Sequence, residues 1–397
     1  MSPYPTAASP PHPAPRPVAF LKPALAGAAA TASGNGLARF AYVPLFPAMV
    51  TAGWVDGGQA GTLGAAALLG YLIGTLAGRP VALRLGVPGL LDLGMGLVVV
   101  ALAACAWNGG FWWFLGWRTL AGVAGGFLMA MAGPATQASV APWRRGAAGG
   151  IVIAGVGGGI AAGAMAVPGL LPLGLSATWL GLAGLVALLW ALAHAHWPRM
   201  VLTGAAAEPR PAAIRGPARL LILTYGLHGA GMVPPMVYLA DLAARGRGLG
   251  VGTGAATWLV FGLAGILGGI LSGRAVDRLG GRATLRLWLL IQVAALALAL
   301  PPWAGLVLPM AAAAGFAAVG VSAVTLAVGR EIAGPQAAGL WIHCTAAFAV
   351  TQTVVGFALA AVFAATGESH FAVFAAGLGF SLAGLGTTLL MARPGKP

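Results

Sequence analysis

Read from end to end, the chain is a succession of apolar runs separated by short gaps rich in Gly, Pro or Arg. A helix that spans a bilayer needs about 20 apolar residues. Runs of that kind predict helices near 24–51, 58–77, 88–107, 110–138, 147–171, 175–197, 219–242, 252–272, 283–301, 303–328, 337–364 and 371–391. The even count puts both chain ends on one side. The first run follows Lys22 with small residues that faintly resemble a cleavable leader. It continues through Phe40 and Phe46 to Ala52, longer than the apolar part of such a leader, and reads as an uncleaved transmembrane helix.

Composition agrees with this pattern. Of 397 residues, 59% are hydrophobic and only 7% charged, where a soluble domain carries about a quarter charged residues. The 64 glycines suit helices that pack through small side chains inside lipid. The predicted class is an all-α integral membrane protein of twelve helices, with the lipid bilayer as its surroundings. A net charge of +14 would suggest nucleic acid in a soluble chain, but here the bases sit in short gaps between apolar runs, so no nucleic-acid partner is expected. Seventeen of the 21 Lys and Arg fall in the gaps and tails on one side, and only Arg245 and Arg247 on the other; Arg39 and Arg118 lie within helices. Basic gaps stay in the cytoplasm, so both termini are expected there. Cys105 and Cys344 lie in apolar runs, too few and too deep for a disulfide framework or a metal cluster, and no cofactor is expected.

The longest interior break, Pro198 to Pro217, falls at mid-chain. The expected organisation is a disordered cytoplasmic tail at 1–22, a six-helix bundle at 23–197, a cytoplasmic linker at 198–217, a second six-helix bundle at 218–392 and a short tail at 393–397. The halves resemble each other: Leu-Ala-Gly-Arg-Pro-Val-Ala-Leu-Arg-Leu-Gly at 76–86 is matched by Leu-Ser-Gly-Arg-Ala-Val-Asp-Arg-Leu-Gly at 271–280, each after the second helix of its half. Duplicated bundles of this kind characterise secondary transporters, whose sites lie between the repeats.

The second copy, with Gly273, Asp277, Arg278, Gly280 and Arg282, resembles the loop signature Gly-x-x-x-Asp-Arg-x-Gly-x-Arg of the major facilitator superfamily. An Asp there can sit at the start of the next helix, favoured by its dipole, and the resemblance implies a conformational latch at these five residues. The first copy departs from the pattern, with Ala82 where Asp is expected. Arg118 followed by Gly122, Gly125 and Gly126 is similar to the superfamily's fourth-helix motif, in which the Arg faces the central cavity; Trp112, Trp113 and Trp117 nearby offer it an interface to snorkel toward instead. Gly36-Leu-Ala-Arg39-Phe40-Ala-Tyr42-Val-Pro44 resembles the first-helix signature of an uncharacterised bacterial branch of the superfamily. The resemblance implies two pseudo-symmetric six-helix bundles in a bacterial inner membrane, with helices one, four, seven and ten lining the path.

Asn35, Arg39, Tyr42 and Phe46 recur at four, three and four residues and share a helical face beside Pro44 and Pro47. A charge this deep must be paired or hydrated, which makes Arg39 the leading candidate for a solute contact, against a purely structural bridge. Tyr225, His228 and Met232 repeat the spacing in the seventh helix, with Tyr238 beyond Pro234 and Pro235. The candidate cavity is therefore Asn35, Arg39, Tyr42, Arg118, Tyr225, His228 and Tyr238. His228 and Asp92 are the candidate proton sites, His228 because imidazole titrates near neutrality, with a hydrogen-bonded structural role as its alternative. Gly155, Gly159 and Gly163 read as a helix-packing stripe.

No metalloprotease, nucleophile-elbow or phosphate-loop pattern occurs, so no enzyme is expected. The expected function is secondary active transport of a small solute, anionic or polar, by import or efflux, with protons as the candidate coupling ion and a monomer as the working unit. The alternative is a non-transporting receptor or assembly factor on the same scaffold.

Overall fold

A computed structural model of the chain describes residues 20–200 and 216–391. The expected tails and most of the expected 198–217 linker lie outside the described residues. The helices are α1 (Leu21–Thr31), α2 (Tyr42–Thr51), α3 (Gly57–Ala104), α4 (Phe111–Ala138), α5 (Arg145–Leu170), α6 (Leu175–Ala193), α7 (Gly216–Asp241), α8 (Gly250–Leu279), α9 (Gly281–Leu298), α10 (Val307–Ala333), α11 (Ala337–Ala365) and α12 (His370–Leu390). There is no strand among the described residues.

Twelve rods result, although among the described residues ten helices by themselves are long and apolar enough to cross a membrane. The first rod is α1, a π-helical stretch at Ala32–Phe40 and α2 end to end. The second and third rods are the two limbs of α3, which breaks at Gly86 with φ +75°. Its repeat partner Gly280, φ +81°, separates α8 from α9. At such angles a Cβ is strained, so glycine is the residue that permits the turn. The expected runs 58–77 and 252–272 stop short of these joints because hydropathy marks where lipid ends, whereas the hydrogen-bond ladder continues until the glycine.

The rods reverse in turn, so the joints at Gly86, Gly280 and Gly334 lie on the face that carries the described chain ends, here the terminal face. The loops at 52–56, 247–249 and 366–369 lie on the far face. Glycine lets the rods of each half approach to backbone contact. A Cβ on Gly122 or Gly126 of α4 would meet the α3 backbone at Ala67 or Tyr71, and one on Gly315 of α10 would meet Phe261 of α8. Gly155 and Gly159 of α5 lie against Ala28 and Ala32 of the first rod, and Gly163 against Ala41. Apolar side chains such as Leu76, Leu192 and Leu389 remain exposed around the girth, and Trp107, Trp112 and Trp303 are exposed near the far face, the belt an aromatic ring prefers at a membrane boundary.

The two halves meet through contacts between several rods. Phe46 of α2 packs on Tyr238 of α7 at 5.6 Å between ring centroids. Leu68 of α3 lies beside Gly356 of α11, and Ile160 of α5 beside Gly262 of α8.

Candidate functional site

The site is built on the π-helical centre of the first rod. Pro44 has no N–H to return to the carbonyls four and five residues before it, at Phe40 and Arg39, and the ladder there widens into the π register. Such single stretches are frequent at functional sites. Arg118 of α4 supplies donors to this stretch: Nη1 to the Ala38 carbonyl at 2.5 Å and Nη2 to the Arg39 carbonyl at 3.4 Å. Its guanidinium also lies 4.4 Å over the Tyr42 ring, and the Tyr42 hydroxyl donates to the Ala60 carbonyl at 2.8 Å. Arg118 is 1% exposed. It points into the first rod rather than outward to the tryptophans, and with Tyr42 it forms a brace behind the site.

Arg39 is different. Its side chain is only half-buried and crosses to the other half, where Nη2 donates to Gln352 Oε1 of α11 at 3.1 Å. The amide of Gln352 is oriented by Met236, whose sulfur accepts from Nε2 at 3.1 Å. Phe40 and Tyr71 lie 4.8 and 5.0 Å from the Arg39 guanidinium carbon. Among the described residues Arg39 Nε is buried without a partner, and so is Asn35 Oδ1, one turn away on the same face. Arg39 takes part in no ion pair among the described residues.

Tyr225 of α7 approaches from the second half. It stacks on Phe348 of α11 at 4.8 Å, lies tilted against Trp341 at 5.6 Å, and its hydroxyl donates to Ser322 at 2.9 Å. His228 lies behind it, fully buried. The Nδ1 of His228 faces Gln292 Oε1 at 2.5 Å, while Gln292 Nε2 donates to Ser381, whose hydroxyl donates to the Gly377 carbonyl. This chain of donors assigns the His228 proton to Nδ1 and joins α7, α9 and α12 inside the second half. Asp92 also stands in a bracing arrangement: its Oδ1 meets Trp190 Nε1 at 2.7 Å, His194 Nδ1 at 2.8 Å and Trp197 Nε1 at 2.7 Å, fastening the third rod to the end of α6.

Tyr238 belongs to a seal at the far face. It packs with Phe46 and Phe363 and covers Gly61 of α3. Above these rings lies a charged cluster. Arg245 holds Asp241 with two bonds, Nε to Oδ1 at 2.5 Å and Nη2 to Oδ2 at 2.7 Å, and His370 Nε2 reaches Oδ2 at 2.8 Å. Arg245 Nη1 donates to Glu368 Oε2 at 2.6 Å, and Glu368 Oε1 accepts from the Gly57 N–H at 2.7 Å. Glu368 thus ties the second half to the start of α3, where the helix dipole favours an anion; Asp56 caps the same end through Gln59.

The expected latch residues lie at the terminal face. Gly273, Asp277 and Arg278 are exposed, and Gly280 forms the joint before α9. The α9 start is met by Glu331 of α10, which accepts from the Gly281 N–H at 3.0 Å, and not by Asp277.

Arg39 thus meets Gln352 and Tyr71, with Asn35 one turn away along the first rod, and Tyr225 stands with Phe348, one turn of α11 from Gln352; Tyr71, Phe348 and Gln352 lie outside the expected set. Arg118, Tyr42 and His228 stand in the walls behind, and Tyr238 in the far-face seal. Gln352 stands out in sequence as an amide inside an apolar run, and Tyr71 as one of only five tyrosines; nothing local ties either to Arg39.

Solved structures share this architecture. A crystallised variant of the nucleoside transporter NupG aligns over 94% of this chain and all of its own, with a TM-score of 0.75 and 11% identity. A D-xylose–proton symporter aligns over 94% and 96% of the two chains, with 0.71 and 15%. A bacterial homolog of the human lysosomal transporter Spinster, in an inward-facing and unoccupied conformation, aligns over 95% of each, with 0.65 and 16%. No curated protein matches the chain. The family described as "Uncharacterised MFS-type transporter YbfB" matches residues 31–388, nearly the whole of the described fold, and the chain belongs to this family of major facilitator transporters.

Proposed function

We propose that the protein moves a small anionic or polar solute across a bacterial inner membrane by alternating access, with Arg39 as the solute's anchor. The observation that carries this reading is an arginine at the junction of the halves that, among the described residues, has one hydrogen bond to the protein and no carboxylate beside it. A guanidinium offers five N–H donors, and an arginine inside a membrane faces water, a pathway or a partner.

The basic gaps assign the terminal face to the cytoplasm. The far face is then external, and it is closed by the Phe46–Tyr238–Phe363 rings and the Glu368–Gly57 contact. Exposed Asp277 and Arg278 at the terminal face support an inward-open state, like that described for the Spinster homolog. One chain suffices for the cycle, because its halves supply both walls. Asp92 and His228 sit in bracing arrangements, which argues for a structural part for both and leaves coupling to protons without a candidate at Arg39 itself.

The test is a pair of spin-label distances in proteoliposomes: Ala52→Cys with Leu249→Cys across the far face, and Arg84→Cys with Arg278→Cys across the terminal face, with Cys105 and Cys344 replaced by Ser. Alternating access requires one distance to lengthen in the subpopulation where the other shortens. A single unchanging distance at both faces sinks the reading.

A further inference from the structure

We infer that the solute is a small aromatic monocarboxylate bearing a hydroxyl or N–H donor on the far end of its ring, its carboxylate on Arg39 and its ring among Tyr71, Phe348 and Tyr225. This rests on the transport reading above and narrows its substrate.

Charge comes first. The chain has seven acidic residues. Asp56 caps α3, Glu331 meets the start of α9, Asp92 is held by two tryptophans and a histidine, Asp241 and Glu368 belong to the far-face cluster, and Asp277 is exposed at the terminal face. The seventh, Glu208, lies outside the described residues. Among the described residues none pairs with Arg39, so the negative charge has to arrive with the solute. Arg118 is committed to two carbonyls, which leaves one guanidinium and favours a monoanion. The planar fork of Arg39 fits a carboxylate with two parallel bonds.

Shape comes second. From Arg39 toward the terminal face the second-half wall is Gln352, Phe348 and Trp341, at spacings of four and seven residues on one face of α11. Phe348 and Trp341 are half-buried, and Tyr225 stacks on Phe348 and lies tilted against Trp341. Across from them Tyr71 flanks Arg39. A solute held at Arg39 therefore lies between ring faces, where a flat π-system stacks better than a saturated ring.

The donor comes third. The Oδ1 of Asn35 is buried with no hydrogen-bond partner among the described residues. It sits one turn from Arg39 within the same π-helical stretch, a separation on the scale of a benzene ring. A hydroxyl or N–H opposite the carboxylate satisfies it. Cationic solutes find no carboxylate in this space, and a sugar would find two amides and a wall of rings.

The probes are 4-hydroxybenzoate, benzoate, 4-hydroxybenzamide and cyclohexanecarboxylate, titrated calorimetrically against the purified full chain. The first is expected to bind most tightly and the other three roughly tenfold or more weakly, because a site built around buried polar groups rejects analogues that leave them unpaired. Arg39→Gln is expected to abolish binding of both benzoates. Asn35→Ala is expected to erase the difference in affinity between 4-hydroxybenzoate and benzoate. Equal affinity for the amide, equal affinity for the cyclohexane acid, or no binding by any of the four overturns the inference, and these arms need no variant to fold. Reciprocal spin-label distances together with a failed panel would remove the substrate class alone; unchanging distances would remove the transport reading itself.

Discussion

Arg39 and Arg118 are the only arginines well inside apolar runs of the chain, and their surroundings assign them opposite tasks. Arg118 is enclosed and spends its donors on backbone carbonyls of the first rod. Replacing it with Met leaves those carbonyls unserved in a dry setting. Charge-assisted hydrogen bonds are worth about 1.5–3 kcal/mol each, so Arg118→Met is expected to destabilise the fold by roughly 2–4 kcal/mol, read as a clear fall in thermal midpoint in detergent. Arg39→Ala removes a charge that the protein itself hardly compensates. Its midpoint is expected to stay within a few degrees of wild type while solute binding is lost; a fall as large as that of Arg118→Met would mark Arg39 as a structural bridge. The four-residue spacing was enough to pair Asn35 with Arg39 on one face. Sequence could not separate the two arginines, because depth in an apolar run says nothing about which carbonyls a neighbouring rod leaves open. Gln352 was beyond local reasoning too, since 313 residues separate it from the arginine it meets.

Among the elements, the first rod shows how a proline pair shapes function. Pro44 and Pro47 mark the signature in sequence, but the π stretch they accompany is a three-dimensional outcome, since it needs Arg118 to serve the displaced carbonyls and α5 to lie close beside it. That closeness depends on Gly159. A Cβ there would press on the Ala32 carbonyl and Gly36, and crowding of this kind costs about 1–3 kcal/mol. Gly159→Val is expected to lower the thermal midpoint and disturb binding at Arg39 together. Gly158→Ala is the control, because open space surrounds that position and little change is expected. The Gly155/Gly159/Gly163 stripe was readable as a packing face because its period is helical. The joints at Gly86 and Gly280 were readable only as the end of a repeat, since hydropathy is blind to a backbone that keeps its hydrogen bonds past the lipid.

At the scale of the whole molecule, twelve rods in two related bundles followed from apolar runs, the mid-chain break and one repeated segment. The far-face seal did not. Asp241, Arg245, Glu368 and His370 sit at rod ends, where a charged residue in sequence looks like ordinary solvated loop, and 123 residues part Arg245 from Glu368. Asp241 is fully buried between two bases. Asp241→Asn is expected to cost about 1–3 kcal/mol by removing one of the two carboxylates that hold Arg245, seen as a fall in thermal midpoint in detergent. Glu368→Ala acts between the halves. Its carboxylate is partly exposed, so the bond to Gly57 is weighted at about 1 kcal/mol, and the population separated at the far face should rise roughly fivefold. The Ala52–Leu249 spin-label distance reads this directly; no change would show that the rings alone keep the face shut.

Glu368 holds Arg245 of its own half with one oxygen and the start of α3 with the other. When the bundles part, the first grip can persist while the second lets go, so no bare ion is ever stranded in lipid along the way. The two end states can then stay nearly level in free energy, and turnover is free to run in whichever direction the concentration gradient drives it.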